Sequence, residues 1–553
     1  MNLANDAPAG PLMTSFHAQK SVILFTLASA AIVAVWWWLG APVTMPPSPL
    51  EAGEKLYCVS YAPFHGAQTP IDPTTHIEPA QIDEDLAQLA RITDCVRTYS
   101  VDFGLDYVPQ AARKHGLKLL LGLWLSSRPE RNQFQVTRGI ALVKEFPDVI
   151  GAVIVGNEAL LRGEISPAAL SDTLRSVKAQ VQKPVTYADV WEFWLRHREL
   201  ASAVDFITIH ILPYWEDDPI PARNAADHVA LIRQRVAADF PGKEIVIGET
   251  GWPSAGRMRE GALPSRANQA RVIQDILARG KRENFRVNVI EAYDQPWKRF
   301  LEGTVGGHWG LLDDATRNFK FAWGEPVSNH PHWRWQAAGG VALAALTFGA
   351  ALFARRRAKP ESEITRASCC ALTLNALIGG VLAGWAVENA LVESLGAGGW
   401  LRSLALVAVA IAAPIVGAAG LALNVASPNF ERVLASSEDR IRDPFMLALG
   451  VVLISLSVLA VQAALGLVFD PRYRDFPLVP LTAAAAPFLL LSFRAPRPNG
   501  LRPVAELVAA AVLTLSAIYI AYNETLANWQ ALWFCASLLA LSLSLARARA
   551  APS

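Results

Sequence analysis

Hydrophobic and polar positions follow three different patterns along this chain. Residues 21 to 41, SVILFTLASAAIVAVWWWLGA, carry no charge and are long enough to cross a bilayer as one helix. Cleavage after Ala41 would put Leu39 at a small-residue position and Pro42 directly behind the cut, so an uncleaved anchor is expected. A Pro-rich spacer, TMPPSPLEAGEK, leads into a stretch of mixed polarity that runs to about residue 330. From Gln336 onward long Leu/Ala/Val runs return, and seven more spans are expected at about 337–354, 369–391, 401–424, 445–468, 477–493, 503–522 and 528–546.

Between the first span and the rest, eight short β-rich runs alternate with helical patterns. The runs are LYCVSYAPF, DCVRTYS, LKLLLGLWLS, IGAVIVGNE, KPVTYADVW, VDFITIHILPYW, EIVIGETGWPS and RVNVIEAYDQPW, beginning at residues 56, 94, 117, 150, 183, 204, 244 and 286. Intervening segments such as IDEDLAQLARI and NAADHVALIRQRVAADF place apolar residues at helical spacing. Eight strand–helix units in this length predict an α/β fold, a (β/α)8 TIM barrel, joined to an α-helical transmembrane bundle. A doubly wound sheet is the rival, but no G-x-G-x-x-G or P-loop pattern supports nucleotide binding. Each run holds its polar and aromatic residues late: Tyr61 and Phe64, Tyr99, Trp124, Asn157 and Glu158, Tyr187 and Trp191, Tyr214 and Trp215, Glu249 and Trp252, then Glu291, Tyr293 and Trp297. Gathered at one barrel mouth, they predict an aromatic cleft with carboxylates at its floor, suited to the C–H faces and hydroxyls of sugars.

Composition narrows the function classes. With 50 Lys plus Arg against 49 Asp plus Glu, the chain lacks the basic footprint of a nucleic-acid binder. Five cysteines form no disulfide framework and no Cys/His cluster has zinc spacing, so neither a metal nor a cofactor is expected. Cys58 and Cys95 stand at similar heights on neighbouring strands, and both a bridge and two packed free thiols remain open. Of the 16 Lys and Arg after residue 337, 13 fall on alternate loops and the tail: Arg355, Arg356, Arg357, Lys359, Arg366, Arg432, Arg440, Arg442, Arg494, Arg497, Arg502, Arg547 and Arg549. Only Arg402, Arg472 and Arg474 oppose them, so the positive-inside rule puts these loops in the cytoplasm and the barrel outside. The expected order is a cytoplasmic tail at 1–20, an anchor at 21–41, a periplasmic barrel at 55–330, seven spans within 337–546 and a cytoplasmic tail at 547–553. Trp36 to Trp38, Trp333, Trp335, Trp400 and Trp529 are expected at the outer interface, and Glu388, Glu506 and Glu524 as interfacial side chains near span ends.

Glycosidic cleavage with retention needs one carboxylic acid to protonate the leaving oxygen and a second carboxylate to attack the anomeric carbon. Glu158 and Glu249 follow apolar strand patterns directly, in VIVGNE and VIGE, and are expected at the mouth from the fourth and seventh strands. At these residues the chain resembles glycoside hydrolase family 17, the β-1,3-glucanases and glucan transglycosylases: VGNE is similar to the acid/base motif and GETGWPS to the nucleophile motif. SYAPF at 60–64, VRTYS at 96–100, EAYDQPWK at 291–298 and HWGLL at 308–312 extend the likeness over about residues 55–325. The resemblance implies Glu158 as acid/base and Glu249 as nucleophile, Asn157 on the sugar 2-hydroxyl, and Tyr61, Tyr214, Trp252, Glu291 and Lys298 lining subsites. Gln295 stands where plant and fungal members often have an acidic residue, and Ala159 where others of the clan often have proline. The membrane context implies a bacterial inner-membrane enzyme that hydrolyses or rebuilds a β-1,3-glucan, with β-1,6 linkages among its products. The alternative is a glucan-binding scaffold or accessory subunit of a separate glucan synthase. A nucleotide-sugar polymerase within this chain is disfavoured, because no cytoplasmic loop is long enough to hold it.

Overall fold

A computed structural model of the chain describes residues 11–357, 365–436, 441–494 and 500–548. It comprises two compact units, Pro42–Ser328 and the helical remainder, Met1–Ala41 with Asn329–Ser553. Lys359, Arg440, Arg497 and Arg549, used above to orient the chain, lie outside the described residues.

In the first unit eight strands close a barrel: β1 Cys58–Ser60, β2 Cys95–Arg97, β3 Lys118–Leu123, β4 Ile150–Asn157, β5 Val185–Val190, β6 Ile207–His210, β7 Ile245–Thr250 and β8 Val287–Val289. Every pairing is parallel, and β1 meets β8 to complete the ring. The helices between strands bury the faces their spacing implies. In Pro79–Leu89 those residues are Ile82, Asp85, Leu86 and Leu89, where Asp85 enters an otherwise apolar stripe because Tyr61, His65 and Arg317 satisfy its carboxylate. Pro at the first turn opens Pro129–Glu145 and Pro167–Lys178, where a missing N–H costs nothing, and Ser166 caps the latter by accepting from the Ala169 N–H.

Polar side chains occupy the barrel interior. Asn288 donates to Ser60 Oγ at 2.7 Å and to the Gly248 carbonyl at 2.6 Å, and the Thr186 and Thr208 hydroxyls meet at 3.0 Å. Donors such as the Asn288 amide N–H are tolerable away from water only when paired, as this one is. Val59 pairs with Val96 in the β1–β2 register, which sets Cys58 beside Cys95, and the two are joined by a disulfide.

The second unit is helical: Pro11–Leu39, Trp333–Arg357, Arg366–Glu393, Gly396–Leu423, the short Phe430–Leu434, Pro444–Phe469, Leu478–Arg494, Val504–Glu524 and Trp529–Ala546. Among the described residues seven helices are long and apolar enough to cross a membrane, and Leu478–Arg494 is an apolar helix below 18 residues. Gly340 and Gly380 let two of them touch closely, since a Cβ on Gly340 would fall 2.2 Å from the Gly380 carbonyl oxygen. Trp36 is fully buried among neighbouring helices, while Trp37 and Trp38 are exposed. Glu506 and Glu524 also point inward, because each finds a donor there: Glu506 Oε1 accepts from the Phe430 N–H at 2.6 Å and Glu524 Oε2 from the Asn528 amide at 2.9 Å.

Candidate active site

The fourth strand leaves its regular register after Ile154, and the chain turns through two left-handed residues, Gly156 (φ +91°) and Glu158 (φ +51°). Glycine suits the first of these, which has no Cβ to clash. The Glu158 N–H is fixed to the Ala188 carbonyl at 2.8 Å, and the carboxylate meets His210 of β6. Glu249 reaches the same space from β7 and is buried.

His210, at the end of β6, stands between them. Its Nδ1 is 2.7 Å from Glu158 Oε1 and its Nε2 3.6 Å from Glu249 Oε1. Ligand atoms of Glu158, His210 and Glu249 all lie within 4.8 Å of one another. The Arg97 guanidinium already supplies positive charge to that triad: from β2 it donates to Glu249 Oε1 at 2.7 Å and to the Gly248 carbonyl at 3.0 Å. Its other amino group donates to Asn157 Oδ1 at 2.5 Å, so one arginine joins strands 2, 4 and 7. The Tyr99 ring lies beneath that guanidinium at 4.6 Å. Burial alone would raise the Glu249 pKa, but His210, Arg97 and Lys298 outweigh it and hold the carboxyl below its usual range. A carboxylate kept ionised and close to a second carboxyl suits a nucleophile.

Beyond β8, Lys298 forms an ion pair with Glu291, and both lie near the carboxylates. Glu302, on helix Arg299–Gly306, adds a further acid; burial raises its pKa, and Glu158 and Glu249 add to the rise against the opposing Lys298. Tyr61, Tyr214 and Trp252 lie behind the mouth, fully buried. Their polar atoms serve the scaffold: the Tyr61 hydroxyl donates to Asp85, the Tyr214 hydroxyl to the Arg257 carbonyl, and the Trp252 indole to the Leu263 carbonyl. Trp124, Trp215 and Trp297 are half-buried; the Arg162 guanidinium lies over the Trp124 ring at 4.2 Å, and Trp215 stacks on Trp309 with ring centroids 6.4 Å apart. Gln295 is buried and bonds the Ala62 carbonyl and the Trp297 indole, which pins its loop. Parts of two motifs are likewise structural, since Lys320 bonds Ser254 of GETGWPS and Asp294 of EAYDQPWK.

The structure thus brings Asn157, Glu158, Glu249, Glu291 and Lys298 together and leaves Tyr61, Tyr214 and Trp252 in the wall. Arg97, His210 and Glu302 escaped the sequence reading of the site. Arg97 lies inside VRTYS, and a charge in an apolar strand was its only signal. His210 and Glu302 offered none.

Residues 58–310 match the family model of the BtgE/BtgC glycoside hydrolase domain. The chain is similar to a probable beta-glucosidase btgE of Aspergillus flavus, 30% identical over 226 residues that make up 39% of this chain and 36% of that protein. It is also similar to a glucan 1,3-beta-glucosidase of Saccharomyces cerevisiae, 25% identical over 268 residues, 43% of this chain and 83% of the yeast protein. Among solved structures, the glycoside hydrolase family 17 beta-1,3-glucanosyltransferase of Rhizomucor miehei is 26% identical, covers 48% of this chain and 95% of its own, and gives a TM-score of 0.43. The chain spans little more than a third of the length of the Aspergillus relatives it matches. The eight-stranded parallel barrel, with Glu158 directly after β4 and Glu249 on β7, lies within the residues 58–310 that match this glycoside hydrolase domain model.

Proposed function

We propose that the barrel is a retaining β-glucan glycosidase or transglycosylase acting on β-1,3-glucan. The supporting observation is the close approach of the two carboxylates, one oxygen of each lying within 4.8 Å of the other. Retaining enzymes hold their carboxyl groups about 5–5.5 Å apart, whereas inverting enzymes need about 6.5–9.5 Å to admit a water. Glu249, ionised by Arg97 and His210, attacks the anomeric carbon while Glu158 gives its proton to the leaving oxygen. The resulting glucosyl ester on Glu249 is then displaced by water or by a sugar hydroxyl whose proton returns to Glu158. Asn157, whose oxygen Arg97 holds, presents its amide N–H to the 2-hydroxyl, and Glu291 and Lys298 contact further hydroxyls. The yeast relative's name, glucan 1,3-beta-glucosidase, supports the substrate class.

Attack by a primary hydroxyl of an acceptor would give β-1,6 branches, and this is the product we assign to transfer. The barrel faces the outside of a bacterial inner membrane and works on glucan delivered by a separate synthase. A defined β-1,3-linked pentasaccharide, incubated with the full-length protein, tests the reading. Longer products mark transfer, shorter ones alone mark hydrolysis, and methylation analysis reads the linkage. Glu249→Gln should give neither; unchanged turnover by that variant would overturn Glu249 as the nucleophile, and no products from the wild type would leave the scaffold reading.

A further inference from the structure

The turn that carries Glu158 is held from one side by three successive residues of β5. Tyr187 is buried, and its ring lies so close under Gly156 that a Cβ there would fall 3.1 Å from Tyr187 Cε2. Its hydroxyl accepts the Leu160 N–H at 2.9 Å and donates to Asp189 Oδ2. Ala188 receives the Glu158 N–H. Asp189 is fully buried, and its other oxygen accepts the Val190 N–H at 2.8 Å. Residues 156 to 160 therefore rest on a ring, a carbonyl and a hydroxyl, and the hydroxyl is oriented by a carboxylate.

Such support is needed. Glu158 has φ +51°, a conformation that is strained for a residue with a side chain and persists only where its surroundings impose it. We propose that Tyr187 and Asp189 are positioning residues for the acid/base, acting as a clamp that sets where the Glu158 carboxyl stands against the leaving oxygen. The clamp is within reach of the chemistry. Burial, followed by the neighbouring Glu158 charge, pushes the Asp189 carboxyl up to about 6 against the opposing Tyr187 hydrogen bond, Val190 N–H and His210. Glu158 from β4, His210 from β6 and Arg162 from the segment after β4 are the charged or titratable groups that face the pair.

The clamp rests on the glycosidase reading and is tested with the full-length protein on two aryl β-laminaribiosides. One has a phenyl leaving group, which needs a proton, and the other a 2,4-dinitrophenyl group, which does not. Tyr187→Phe keeps the ring and removes the hydroxyl. Its kcat/KM should fall about 100-fold on the phenyl glycoside and stay within about threefold on the dinitrophenyl glycoside. Azide, which needs no base, should raise its kcat on the latter. Equal loss on both substrates, or loss on neither, would overturn the clamp. If Tyr187→Phe does not fold, Asp189→Asn is judged by the same ratio, and failure of both to fold would also overturn it, since the pair would then serve the barrel and not the turn. Wild-type inactivity on both substrates would overturn the glycosidase reading and the clamp with it.

Discussion

Arg97 gives Glu249 its nearest positive charge, at 2.7 Å, and holds Asn157 with the same group. Because the Glu249 pKa is depressed below 4.5, this proposed nucleophile stays ionised as the pH falls until that lowered value is passed. The acid limb of kcat/KM is therefore expected below pH 4.5. Arg97→Met should move that limb upward in pH and lower the plateau by about 100-fold, through loss of a buried charge-assisted hydrogen bond. A limb that does not move would show that Arg97 does not set the nucleophile's charge. The two glutamates were legible because each ends an apolar run inside a motif, VGNE or GETGWPS. Arg97 and His210 were not, because a lone charge in DCVRTYS or a lone histidine in FITIHI acquires meaning only when the closed barrel brings strands 2, 4, 6 and 7 to one axis.

At the scale of elements, the strands were visible as β-rich runs, and each begins within three residues of its run: Cys58 against 56, Ile207 against 204, Ile150 at 150 itself. Hydropathy fixed how long the helices of the second unit are but not how they are rotated. Trp36, Glu506 and Glu524 consequently turned out to face inward, where packing or a donor awaits them. The Cys58–Cys95 bridge was undecidable from spacing, since it depends on the β1–β2 register. Alkylation under non-reducing denaturation should modify only Cys369, Cys370 and Cys535, and modification at Cys58 and Cys95 would refute the bridge. Removing it with paired serines should cost about 2–4 kcal/mol, read as a lowered denaturation midpoint. Gly156→Ala should destabilise by about 1–2 kcal/mol, because alanine resists φ +91° and its methyl would press on Tyr187. The same variant should lose activity on substrates that need Glu158 as acid.

For the whole molecule, the proposed outer location of a barrel that falls in sequence between apolar helices predicts where reporters work. A reporter active only outside should function after Pro49 or near residue 330, and one active only inside after Lys359 or at the C-terminus. Cytoplasmic signal near residue 330 would remove the outer-surface assignment while leaving the chemistry untouched. That chemistry, a covalent sugar on Glu249, is the central claim. Full-length protein treated with a 2-deoxy-2-fluoro-β-laminaribiosyl fluoride should gain one sugar adduct by intact mass, and peptide mapping should place it on Glu249, with no adduct in Glu249→Gln. An adduct on Glu158, or wild-type turnover of laminari-oligosaccharide with inversion at the anomeric carbon, would contradict it.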